Sequence, residues 1–235
     1  MRAQQSKISL RLFWSLVILL SGYYLFRAIR FRFLEEGIGD TFWNKQFWFV
    51  FHLLTAIAPL ALGPIQFWSW FRKRHMRWHR LLGKIYIIGS LLGGCTALYL
   101  GFTQPYQGSI VPVILLALLW LFCTTAAWIT ILRKNVTAHR LFMIRSYVLA
   151  LTFISLRILS DMVEQGYILS FIKHPDVRDA TYEWLSWVLP LVVTEMCISW
   201  IPAMRATKQT KSRGLEKEKL SEDLTSTKQK QLPIS

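Results

Sequence analysis

The sequence predicts an all-α, polytopic membrane protein with six transmembrane helices, helices two to five forming a four-helix core built from a duplicated hairpin. Three observations predict it. Hydrophobic residues make up 53% of the chain although its net charge is +15, and the mean hydropathy is +0.34, a combination that a water-soluble domain rarely shows. No charged residue occurs between Ile85 and Leu132, more than twice the ~20 residues that one crossing helix needs. Finally, His79-Arg80-Leu81 returns sixty residues later as His139-Arg140-Leu141, each copy standing where a basic loop gives way to an apolar run. Trp68 with Trp128, Lys73 with Arg133 and Arg74 with Lys134 repeat at the same offset.

The spans follow in order. Leu12 to Phe26 is short, but Arg11 and Arg27 can snorkel toward the headgroups. A signal peptide is the rival reading of this segment, and the residues that follow it, Arg27-Ala28-Ile29-Arg30, do not resemble a small-residue cleavage site. Gln46 to Phe71 is free of Lys, Arg, Asp and Glu, and Gly63-Pro64 inside it should kink the helix. The turn-forming Gln104-Pro105-Tyr106-Gln107-Gly108-Ser109 divides the uncharged run into helices three and four. Leu141 to Ser160 and Trp184 to Met204 complete the set. Residues 1–204 thus form the transmembrane domain, with its core at 46–160. Residues 205–235, lysine-rich and free of aromatics, read as a disordered basic tail.

Loop charges set the expected orientation. Arg72, Lys73, Arg74, Arg77, Arg80 and Lys84 lie between helices two and three, and Arg133, Lys134 and Arg140 before helix five. The intervening loop has no charge, and the one after helix five is mostly acidic, with Asp161, Glu164, Asp176, Asp179 and Glu183. Both termini are therefore expected in the cytoplasm and the protein in the inner (plasma) membrane, although Arg27, Arg30, Arg32 and Lys45 in the first loop run against the pattern. Basic loops account for the +15 charge, so nucleic acid is not an expected partner; the lipid bilayer is. Cys95, Cys123 and Cys197 fall inside spans, offer no CxxC pair and read as helix-packing residues.

His79 and His139 begin helices three and five at matching heights near the inner surface. Facing each other, they would supply both axial ligands of a haem b; the plainer alternative is that they cap helix starts or touch lipid phosphate. Gln66, Arg80, Arg140 and Arg145 lie near the same end as candidates for the haem edge or for phosphates. His52, inside helix two, marks a candidate outer site, because a polar ring at that depth needs a protein or water partner; it would bond a quinone, sense pH or satisfy a neighbouring helix. Its counterpart sixty residues on is Pro112, and helix four has no histidine. His75 and His79 are four apart, but the surrounding arginines disfavour a metal dication, and His174 before Pro175 carries no expected chemistry. Among intramembrane charges, Arg157 has Asp161 as an i,i+4 partner. Glu195, near the middle of helix six, is expected to be neutral, serving a proton path or a hydrogen bond between helices. No phosphate loop, Walker motif or catalytic triad is visible.

The stretch from His52 to Arg157 resembles the bacterial membrane proteins grouped as domain-of-unknown-function family 2306. The resemblance rests on His52, Gly63-Pro64-Ile65-Gln66, His79-Arg80-Leu81-Leu82-Gly83-Lys84-Ile85-Tyr86, Trp120, His139-Arg140, Met143-Ile144-Arg145-Ser146-Tyr147 and Leu156-Arg157. It implies no established activity. A more distant, topological likeness is to cytochrome b561-type proteins, which implies an inner haem on histidines of helices three and five, matching His79 and His139. An outer haem would need histidines on helices two and four, and only His52 answers. Two functions remain open at this point: haem-b electron transfer or quinone-linked redox activity with a redox partner, or a cofactor-free transporter or lipid-interacting scaffold using Glu195, Arg157 and the basic face.

Overall fold

A computed structural model describes residues 2–30, 43–103 and 107–205, all of whose regular structure is helical. The elements are α1 (Arg2–Arg30), α2 (Trp43–Phe67), α3 (Ser69–Arg74), α4 (Met76–Thr103), α5 (Gln107–Leu132), α6 (Val136–Ala150), α7 (Thr152–Glu164) and α8 (Pro175–Glu195), which continues into a π-helical turn, Met196–Trp200. Gln104, Pro105 and Tyr106 of the expected turn, residues 31–42 of the first loop and the tail beyond Arg205 lie outside the described residues.

Among the described residues, five helical stretches are long and apolar enough to cross a membrane: Phe47–Phe67, Met76–Thr103, Gly108–Leu132, Val136–Glu164 and Pro175–Arg205. The sixth expected span is a shorter apolar stretch, Leu12–Arg27, within α1. Several helices run past the apolar segments, since helix propagation does not stop where charge begins. The acidic loop is the main correction here: Asp161 and Glu164 lie on α7, and Asp176, Asp179 and Glu183 on α8, with only residues 165–174 between them. The expected span over Gln46–Phe71 is also shorter. α2 stays helical through Pro59 and Pro64, and the chain breaks at Trp68, whose φ and ψ of −72° and 107° are extended.

The chain divides after Leu191 into two units. In the first, α2 packs on α4, α4 on α5 and α5 on α6, and α6 returns to α2, while α1 rests on α2 and α7. Glycines set how close α4 lies to its neighbours: a Cβ on Gly89 would stand 2.8 Å from the Thr55 carbonyl oxygen of α2, and one on Gly93 would stand 3.2 Å from the Trp120 ring of α5. This is the small-xxx-small spacing that lets helices pack in lipid, where apolar side chains gain nothing by leaving water. Tyr86, Ile87, Ala127, Met143 and Tyr147 form one buried cluster. Trp120, Cys123, Leu149 and Trp187 form another. Cys123 is thus a packing residue as expected, whereas Cys95 and Cys197 are exposed.

α1 is held at two levels. Trp14 stacks 5.9 Å from Phe67 and lies 5.8 Å from Tyr147. Further along, Arg27 Nη1 donates to both oxygens of Asp161, at 2.7 and 2.6 Å, and the Tyr24 hydroxyl donates at 3.1 Å. Asp161 therefore pairs across helices and not with Arg157, whose guanidinium lies 5.9 Å from the Phe153 ring. The local i,i+4 expectation fails because Asp161 faces α1 while Arg157 is exposed. In the second unit, Glu195 accepts a 2.8 Å hydrogen bond from Ser199 within the π-helical turn.

Candidate functional site

The joints of the first unit carry the two copies of His-Arg-Leu. Between α5 and α6 the chain turns through Arg133–Asn135, with Lys134 at φ 61° and the Asn135 side chain accepting from the Ala138 amide at 3.0 Å. Asparagine suits this place because its short carbonyl caps an otherwise unpaired first-turn amide. That cap puts His139 in the first full turn of α6. The joint between α2 and α4 is longer, built of Trp68, α3 and His75, and leads into α4 with His79 in its first turn.

Both histidines are half-buried, and they lie close enough for a charge on one to be felt by the other. His139 Nδ1 is 2.9 Å from the Ala127 carbonyl oxygen. A carbonyl only accepts, so Nδ1 carries the proton and Nε2 of the neutral ring keeps its lone pair. The Nδ1 of His79 is buried with no hydrogen-bond partner. Gln66, itself 5% exposed, donates from its amide to the His79 main-chain carbonyl at 3.2 Å and lies beside Gly83. It thereby ties the end of α2 to the start of α4. Arg80 and Arg140 are exposed and Arg145 is half-buried, its guanidinium 5.3 Å from the Phe142 ring.

Deeper in the bundle lies a polar joint that sequence reasoning did not single out. Ser146 on α6 is bonded to the Tyr86 hydroxyl of α4 at 3.2 Å and to the Thr124 hydroxyl of α5 at 2.8 Å. All three residues are fully buried. Tyr86 and Ser146 are sixty residues apart, the offset of the histidine pair, and that was the available signal. Beside them the Tyr147 ring occupies the space a side chain at Gly63 would need, and its hydroxyl is buried without a partner.

His52 is half-buried on α2, with Nδ1 2.9 Å from the Gly93 carbonyl oxygen and 3.2 Å from Thr96 Oγ1. Thr96 spends its proton on the Leu92 and Gly93 carbonyls, so Nδ1 is again the protonated nitrogen and Nε2 the free acceptor. Pro112, at the repeat offset, is fully buried. His75 packs its ring on Trp70 and Phe71, and His174 is exposed. Among the described residues no group of three His, Cys, Asp or Glu side chains is placed to hold a metal ion. A second missed feature lies at the opposite end of the bundle, where Ser109 donates to Glu183 at 2.7 Å and joins α5 to α8.

A family model described as predicted membrane protein (DUF2306) matches residues 49–198. The chain belongs to this family. Within the stretch matched to DUF2306 lie the interhelical joints of Gly63 with Tyr147, Gln66 with the His79 carbonyl, and Tyr86 with Ser146. No curated protein and no solved structure matches the chain.

Proposed function

We propose that this DUF2306 protein crosses the membrane six times, with α1 as its first span and α2–α4 and α5–α7 as two related hairpins, and that it binds one haem b between His79 and His139 for electron transfer, quinone-linked or otherwise. The observation that carries the reading is the histidine pair itself. Two half-buried imidazoles lie near each other at one end of the bundle, and the bond from His139 to Ala127 fixes the neutral ring as the Nδ1–H tautomer, whose Nε2 is the nitrogen it would offer a metal. The buried and unpartnered Nδ1 of His79 also fits a site that a bound group completes. A haem there would supply reversible one-electron transfer. The chain's own part is to fix the two rings, through Ala127 for His139 and through the clamp from Gln66 for the backbone of His79. Arg80, Arg140 and Arg145 offer cations for propionates.

His52 has no second histidine opposite it, so the reading stops at one haem. Its free Nε2 would accept a hydrogen bond from a quinol hydroxyl. The alternative, a cofactor-free transporter or lipid-interacting scaffold, would use Glu195, which accepts from Ser199, the exposed Arg157 and the basic face.

A dithionite-reduced minus oxidised spectrum of the purified protein tests the reading. A b-type difference band is expected, and His79→Ala or His139→Ala should abolish it while helicity persists. Absence of any band after expression with ample haem would refute it.

A further inference from the structure

Between Asp40 and Asp161 the sequence contains no Asp or Glu at all. Over the same stretch the α2–α4 joint carries Arg72, Lys73, Arg74, Arg77, Arg80 and Lys84, and the α5–α6 joint carries Arg133, Lys134 and Arg140. Antiparallel packing of successive helices brings both joints to one end of the bundle. The Arg27–Asp161 ion pair joins α1 to α7, and no carboxylate within this core can neutralise that end. The helices of this core thus leave that end strongly basic and open to an external anion.

α3 is shaped for one kind of counter-charge. None of its residues is buried, and Trp68, Trp70 and Trp78 are 56%, 52% and 58% exposed. Exposed indoles are costly in water but favoured at the headgroup level of a bilayer, where an apolar ring and a polar N–H are both accommodated. The rings are ordered among themselves: Trp68 lies 5.2 Å from Trp70, and Trp70 lies 5.8 Å from His75. The Arg74 guanidinium is 5.9 Å from the Trp70 ring centre, a cation–π contact that holds the charge beside the indoles.

We propose that the α3 elbow, from Trp68 to Trp78, is a binding site for anionic phospholipid. Lys73, Arg74 and Arg77, all exposed, take the headgroup phosphates, and the three tryptophans seat the elbow at the interface. The proposal does not rest on the haem reading, and none of its phosphate or indole contacts is a residue assigned to haem.

The test is native mass spectrometry of the full-length protein released from nanodiscs of equal phosphatidylglycerol and phosphatidylcholine, reading the ratio of the two lipids retained. Wild type should retain phosphatidylglycerol in preference. A basic residue near an anionic surface strengthens association by about fivefold, so Lys73→Gln/Arg74→Gln/Arg77→Gln should lower the preference by at least about that factor. Lys73→Arg/Arg74→Lys/Arg77→Lys should keep it. Trp70→Ala should lower it with net charge unchanged, which distinguishes a built site from general basicity. If the triple glutamine variant loses helicity, Arg74→Gln and Trp70→Ala decide the matter alone. Equal retention of both lipids by wild type would overturn the proposal. So would an undiminished preference in the folded glutamine variants, which would place the lipid selectivity elsewhere on the protein.

Discussion

Ser146 shows how a small residue can join three helices. It bonds Tyr86 on one side and Thr124 on the other, all within a fully buried patch. Hydrogen bonds between membrane helices contribute about 0.6 kcal/mol on average and about 1.7 kcal/mol at most. Ser146→Ala should therefore cost about 1–2 kcal/mol, measured by denaturant titration in detergent, because it breaks two bonds and strands two hydroxyls. Adding Tyr86→Phe should cost less than the sum of the single changes, since the stranded hydroxyl is then gone. Full additivity would show that the two groups do not interact. The histidine pair was legible in the sequence because a repeated tripeptide needs no three-dimensional information. The partner of Asp161 was not: Arg27 lies 134 residues away, whereas sequence spacing points only to neighbours on the same helix.

At the scale of elements, the critical contact is between α2 and α6. A Cβ at Gly63 would overlap the Tyr147 ring, so Gly63→Ala cannot be absorbed without moving that ring. Overpacking of this kind costs about 1–3 kcal/mol. Gly63→Ala should lower the melting temperature clearly, and Tyr147→Ala in the same chain should recover part of the loss. Equal stability of wild type and Gly63→Ala would mean the ring does not sit there. The apolar runs revealed which segments are helical, but not where α2 stops. Gly63-Pro64 is the evident breaker, yet the break falls at Trp68, because the residues after Pro64 can resume helical bonding and the extended residue is set by the turn into α3. The Gly89-to-Gly93 spacing was equally present in the sequence, and its meaning became clear only once Thr55 and Trp120 were seen against it.

For the whole molecule, the question is what fixes α1 to the core. Its ion pair with Asp161 is prominent, but the Arg27 side chain is 48% exposed, and an exposed pair contributes about 0.2–1 kcal/mol. Trp14 meets both Phe67 and Tyr147, and aromatic pairs are worth about 0.5–1.5 kcal/mol each beyond the area they bury. Trp14→Ala should thus destabilise the protein more than Arg27→Ala, as read by thermal unfolding in detergent. The reverse order would make the ion pair the main attachment. The all-helical membrane class was legible because composition and charge segregation report directly on the solvent a chain meets. The count of spans was less so, since the apolar stretch of α1 is short for the bilayer.

The acceptors at Ala127 and Gly93 have an evolutionary corollary. Both His139 and His52 give their Nδ1 proton to a main-chain carbonyl, a group that every amino acid possesses. No point mutation at residue 127 or 93 can delete that acceptor; it can only move it by changing how near two helices lie. The tautomer of each ring is therefore inherited with the spacing of the bundle, and sequences may drift at these positions, so long as side-chain bulk is conserved, without altering which nitrogen is left bare.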